Sequence, residues 1–216
     1  GKADGKPVWR LLGGRKADRM QAYASGGWAA ADKIGEQLQS YVDAGGFHMV
    51  KMRVGAMDPN PHASAARVKA ARKALGPDVE LAVDAHGTFT VATARRFANL
   101  VHDCDLAWFE EPIIADDKIG IAEVRATIPI PVATGESEAT RFAFRDLAIR
   151  RAADIFQPDP GFCGGITAFI AAETLGFRFA VFTAEMLGVT WRIGAVDVTS
   201  TFLTTVFTLA DGAGVD

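Results

Sequence analysis

The feature that most constrains this chain is a period: short β-branched or aromatic runs alternate with longer stretches of helical spacing, about every 25 residues. Strand-like runs fall at 20–24, 49–54, 80–84, 106–110, 130–134, 154–157 and 179–183, and several are apolar on both faces, as buried parallel strands must be. Amphipathic segments at 34–44, 63–75, 91–101, 119–126, 139–150 and 166–175 lie between them, each long enough for a crossover helix. The fold class is therefore α/β, and parallel strands joined by right-handed crossovers are expected.

Unbroken βα alternation suits a doubly wound open sheet or a closed barrel. The turn after the first run reads Ala24-Ser25-Gly26-Gly27-Trp28 and lacks the GxGxxG spacing of a dinucleotide-binding open sheet. Polar residues instead recur where nearly every run stops, as in a (β/α)8 TIM-type barrel, whose strand ends feed one shared mouth. A full barrel takes about 250 residues, and this chain has 216. About seven βα units are readable. Residues 196–209, apolar and Thr-rich, offer only a weak candidate for an eighth strand, so the barrel is expected to be incomplete. Residues 1–18 read as a lead-in and 19–216 as the barrel domain, irregular after about 183. A barrel lacking its last strand would expose a sheet edge and favour self-association, and a homo-oligomer is expected.

Composition narrows the partners. A formal charge of −3 without runs of like charge leaves no footprint for nucleic acid or an anionic membrane, and neither partner is expected. No apolar stretch is long enough to span a bilayer, and there is no signal-peptide pattern. Cys104 and Cys163 are too few for a disulfide framework. A cytoplasmic location is the default.

Three acids stand where strand-like runs stop: Asp84, Glu110 and Glu136, separated by 26 residues each time. One βα unit per step is expected to bring them to the same height on one rim, where three anions would repel unless a cation joined them. Hard oxygen donors, with no Cys or His expected among them, favour Mg2+. The alternative is that each caps a helix or pairs with a surface lysine.

Lys51 and Arg53 lie two apart, so strand alternation turns both to one side, facing the acids. Either could hold a substrate carboxylate, and a lysine beside a guanidinium can approach the working range of a base; pairing with the acids is the plainer role. His86 follows Asp84 by two and could serve as a general acid or simply bind backbone. Asp159, between two prolines, ends the next run; it could contact substrate or form a turn. His48, His62 and His102 read as structural or surface residues.

Together Lys51-Met52-Arg53, Val83-Asp84-Ala85-His86-Gly87, Trp108-Phe109-Glu110-Glu111-Pro112, Thr134-Gly135-Glu136, Gln157-Pro158-Asp159 and Cys163-Gly164-Gly165-Ile166-Thr167 resemble the enolase superfamily, nearest to mandelate racemase and the acid-sugar dehydratases. The resemblance implies Mg2+ on Asp84, Glu110 and Glu136, and removal of the proton alpha to a sugar-acid carboxylate to give a metal-stabilised enediolate. Arg53 stands where the racemase group commonly carries a basic lysine, and Phe182 where a histidine often ends the seventh strand. His86 resembles the third-strand histidine of mannonate-type dehydratases, so a Mg2+-dependent lyase fits better than a two-base racemase or epimerase. The family's capping domain is expected to be missing, and the alternative of another class is an impaired, truncated barrel that only binds metal or self-associates.

Overall fold

The computed structural model describes residues 1–12 and 21–173, and the backbone of 178–182, 190–193, 196–199 and 206–208. After a one-turn helix, α1 (Val8–Leu11), strands and helices alternate: β1 (Gln21–Gly26), α2 (Ile34–Gly45), β2 (Met49–Arg53), α3 (Pro61–Leu75), β3 (Glu80–Asp84), α4 (Val91–Leu100), β4 (Leu106–Glu110), α5 (Lys118–Thr127), β5 (Val132–Thr134), α6 (Thr140–Arg150), β6 (Ile155–Phe156), α7 (Ile166–Glu173) and β7 (Arg178–Phe182). β8 (Thr190–Ile193) and β9 (Val196–Thr199) form a separate antiparallel ribbon, and β10 (Val206–Thr208) completes the order. The expected run ends Met20 and Thr183 lie outside the described residues.

β1 to β7 pair in parallel, each with its neighbour in sequence. These are the seven units legible in the chain. The eighth barrel position is filled by β10, which runs antiparallel to both β1 and β7 and closes the barrel. Both sheet edges are thereby paired, so the exposed edge expected of an unfinished barrel is not formed.

Local chemistry fixes the helix starts at the mouth. The Asn60 side chain accepts from the N–H groups of His62 and Ala63, with Pro61 at the first helical position of α3. Thr90 and Thr93 make a reciprocal capping box on α4. Val68, Ala71 and Leu75 then turn one face of α3 onto the sheet, in the main core between strands and helices. A second, smaller core fills the barrel interior with Tyr23, Met49, Ala82, Trp108, Ala133 and Ile155. The next inward-facing positions towards the strand ends are polar and buried: Lys51, Asp84, Glu110, Gln157 and Asp159. Among the described residues no helix is long and apolar enough to cross a membrane.

Candidate metal and acid-binding site at the barrel mouth

Strand register carries the acids to the mouth. Arg53 pairs with Asp84 across β2 and β3, and Asp84 with Glu110 across β3 and β4. Glu110 is level with Ala133, however, so Glu136 sits three residues past that level, in the turn after β5. Equal spacing in sequence is not equal height here, because β4 takes an extra residue between its pairings to Leu81 and Val83 and the step to β5 is shorter.

The Lys51 ammonium is buried between two of the acids, 2.5 Å from Glu110 Oε1 and 3.2 Å from Asp84 Oδ2. Arg53 Nη1 is 2.5 Å from Asp84 Oδ2. Glu110 also accepts from the Trp108 indole N–H at 3.0 Å, and Asp84 Oδ1 accepts from the backbone N–H of His86. Glu136 belongs to a second grouping: ligand atoms of His86, Glu111 and Glu136 lie within 4.8 Å of one another. His86 Nδ1 is 3.5 Å from Glu111 Oε2. The two groupings share one mouth, since the Glu136 carboxyl feels Lys51, Asp84, His86 and Arg53.

The protonation preferences follow from these neighbours. Burial works against a charged Asp84, but Lys51 and Arg53 outweigh it and hold its pKa below the ordinary value. For Glu110, full burial and then the Asp84 charge outweigh Lys51, and its pKa is pushed up to about 7. Burial, then Glu136 and Asp84, push Glu111 up to about 8. Glu136 is raised chiefly by burial. Four carboxyl groups thus face two cationic side chains, Lys51 and Arg53, and the set is two positive charges short when all are ionised. Glu111 Oε1 and Glu136 Oε2 are buried without a hydrogen-bond partner. A hard divalent cation would meet both deficits, so the donor set fits Mg2+.

His86 and Glu111 both have positive φ, 47° and 37°, in facing turns linked by the Gly87 N–H to the Glu111 carbonyl. Asp159 is buried, and its Oδ1 accepts from the Gly161 N–H at 2.5 Å, a turn-forming contact. His48, His62 and His102 are exposed and away from this cluster. A separate cavity of about 380 Å³ lies beside the mouth, between the Trp28–Ala31 turn and the start of α3.

Sequence reasoning passed over three participants. Trp108 stands two before Glu110, so strand alternation alone turns both inward. Tyr23 occupies the matching inward place on β1; burial and then the charges of Glu110, Asp84 and Glu136 raise its pKa. Glu111 reads in sequence only as part of a Glu-Glu-Pro turn, and its inward aim depends on a left-handed backbone that spacing does not reveal.

A family model described as enolase C-terminal domain-like matches residues 33–195. The chain is 33% identical over 179 residues to the D-galactarolactone cycloisomerase of Agrobacterium fabrum, covering 81% of this chain and 47% of that protein. It is 34% identical over 184 residues to the arabinonate dehydratase of Saccharolobus solfataricus, covering 82% and 48% respectively. The solved enolase from Bradyrhizobium complexed with magnesium and mandelic acid superposes with a TM-score of 0.75 at 31% identity, over 82% of this chain and 50% of that one. The chain spans about half the length of the curated relatives it matches.

Proposed function

From the premise that the chain belongs to the enolase C-terminal domain-like family, we propose that its mouth is the site of a Mg2+-dependent dehydration of a sugar acid. Asp84, Glu110 and Glu136 would hold the ion. The observation that carries this reading is a mouth where four carboxyl groups face Lys51 and Arg53 and where Glu111 Oε1 and Glu136 Oε2 are buried without a hydrogen-bond partner; burial first, and then neighbouring carboxylates, push Glu110 up to about 7 and Glu111 up to about 8, and one divalent cation would relieve both groups. When bound, Mg2+ offsets negative charge that develops on the substrate carboxylate oxygens as the alpha proton leaves.

Lys51 and Arg53 face the same oxygens and add fixed positive charge there, which lowers the demand on the base. His86 is 62% exposed in its side chain and lies on the open side of the acids, where it can take the alpha proton and then give it to the departing beta-hydroxyl, which leaves as water. The resulting enol ketonises to a 2-keto acid. Asp159 holds the following turn through Gly161 and has no chemical step in this scheme.

Calorimetric Mg2+ titration followed by a screen of hexonate and aldarate acids for 2-keto product tests the reading. Mg2+-dependent product that disappears in Glu136→Gln supports it. Solvent deuterium at the alpha carbon without loss of water would reassign the site to racemisation or epimerisation. Mg2+ binding without turnover of any acid would leave a metal-binding barrel only.

A further inference from the structure

The Arg67 side chain on α3 is 5% exposed and is used almost wholly on backbone. Its Nε donates to the Ala29 carbonyl, its Nη2 to the Gly27 carbonyl and its Nη1 to the Arg53 carbonyl, each at 2.8 Å. Asp58 Oδ2, itself held by the Ser64 hydroxyl at 2.7 Å, lies 3.2 Å from Nη1 and orients the fork. Gly27 and Ala29 flank Trp28, so one guanidinium grips the chain on both sides of that indole and at Arg53. The grip needs glycine at 27, where φ is 76° and a Cβ would come within 2.6 Å of the Met52 Cβ.

The two gripped side chains meet. The Arg53 guanidinium lies 5.7 Å from the centre of the Trp28 ring, and its other contact is Asp84. Trp28 is 51% exposed. A planar guanidinium with five donors matches three divergent carbonyls; an ammonium on the same helix position does not.

We propose that Arg67 is a positioning residue which keeps Trp28 and Arg53 stacked at the mouth and thereby holds Arg53 on Asp84. The role of Arg53 towards substrate rests on the function proposed above; the clamp does not. Arg72, five residues further along α3, gives a matched control, because it donates to the carbonyls of Gly76, Val79, Cys104 and Asp105 at the far end of the barrel.

The readout is the near-ultraviolet circular dichroism of Trp28, taken in the full chain as the difference between each protein and its Trp28→Phe partner. A fixed indole contributes strongly and a loosened one does not, so Arg67→Lys is expected to lose about half of this signal or more, while Arg72→Lys keeps it. Retention of the signal in Arg67→Lys, or equal loss in Arg72→Lys, would overturn the clamp. If Arg67→Lys does not fold, Asp58→Asn loosens the same fork and should give a smaller loss in the same direction; no loss there would also overturn it. Mg2+ titration of the parent protein separates the two ideas: loss of the Trp28 signal in Arg67→Lys with no Mg2+ binding supports the clamp and rejects only the metal reading.

Discussion

The two ends of the barrel use similar side chains to opposite effect. At the end away from the mouth, Arg72 satisfies four carbonyls, and Arg125 bonds Asp154, whose second oxygen accepts from the Val132 N–H. Among the described residues these charges have their partners. At the mouth, Lys51 and Arg53 are outnumbered by four carboxyl groups, and buried carboxyl oxygens of Glu111 and Glu136 lack a donor. One end is arranged to stabilise the folded chain; the other keeps an electrostatic deficit that a ligand can relieve.

Exchanging single charges at each end should separate these roles most sharply. Glu136→Gln removes a proposed ligand and is expected to abolish Mg2+-dependent turnover and weaken Mg2+ binding by more than the roughly 10–100-fold typical of an outer-shell change. Asp154→Asn should instead lower the melting temperature and leave the calorimetric Mg2+ affinity as it was. A metal affinity that falls equally in both would erase the distinction between the two ends.

Lys51→Met comes next in size. It leaves Glu110 and Asp84 buried without their shared ammonium, and loss of one partner from such a group costs about 3–5 kcal/mol. Chemical denaturation without metal should show that loss. Saturating Mg2+ should recover much of it, because the ion supplies the missing charge; a loss that Mg2+ does not reduce would argue against a cation site at these acids.

The pH dependence has a definite sign. Glu110 and Glu111 have folded-state pKa values raised from 4.5 to about 7 and about 8. The folded state therefore keeps protons that the unfolded chain releases, so their contribution is full below about 4.5 and is lost as pH rises through 7 and 8. The melting temperature of metal-free protein should fall across that window, and Mg2+ should flatten the fall. A melting temperature that rises between pH 5 and 8 without metal would mean that these carboxyls are not held in their protonated form.

How much of this was legible in the chain depends on range. The βα period gives seven strands and six helices to within a few residues, because burial on the sheet imposes a pattern at each step. The in-register trio Arg53, Asp84 and Glu110 follows from strand-end positions alone. The offset of Glu136 does not, since stagger between strands is set by the closed barrel and by the irregularity in β4. β10 is short and pairs antiparallel, so nothing in Val206-Phe207-Thr208 distinguishes it from a loop. Arg67 reads as one more charge on an amphipathic helix; that it turns inward to three carbonyls depends on chain segments 14 to 40 residues away.

The smallest expected effect tests whether lying at the mouth is by itself enough to couple a residue to the site. Asn60 caps α3 at that end, yet its side chain bonds only the N–H groups of His62 and Ala63 and touches none of the acids. Asn60→Ala should cost about 1 kcal/mol, a shift of about 2–4 °C in melting temperature for a chain of this size. The deficit resides in Glu110, Glu111 and Glu136 rather than in the rim as a whole. Mg2+ affinity and the Trp28 dichroism should therefore be unchanged in Asn60→Ala, while a drop in Mg2+ affinity would show that the start of α3 is mechanically tied to the carboxylates.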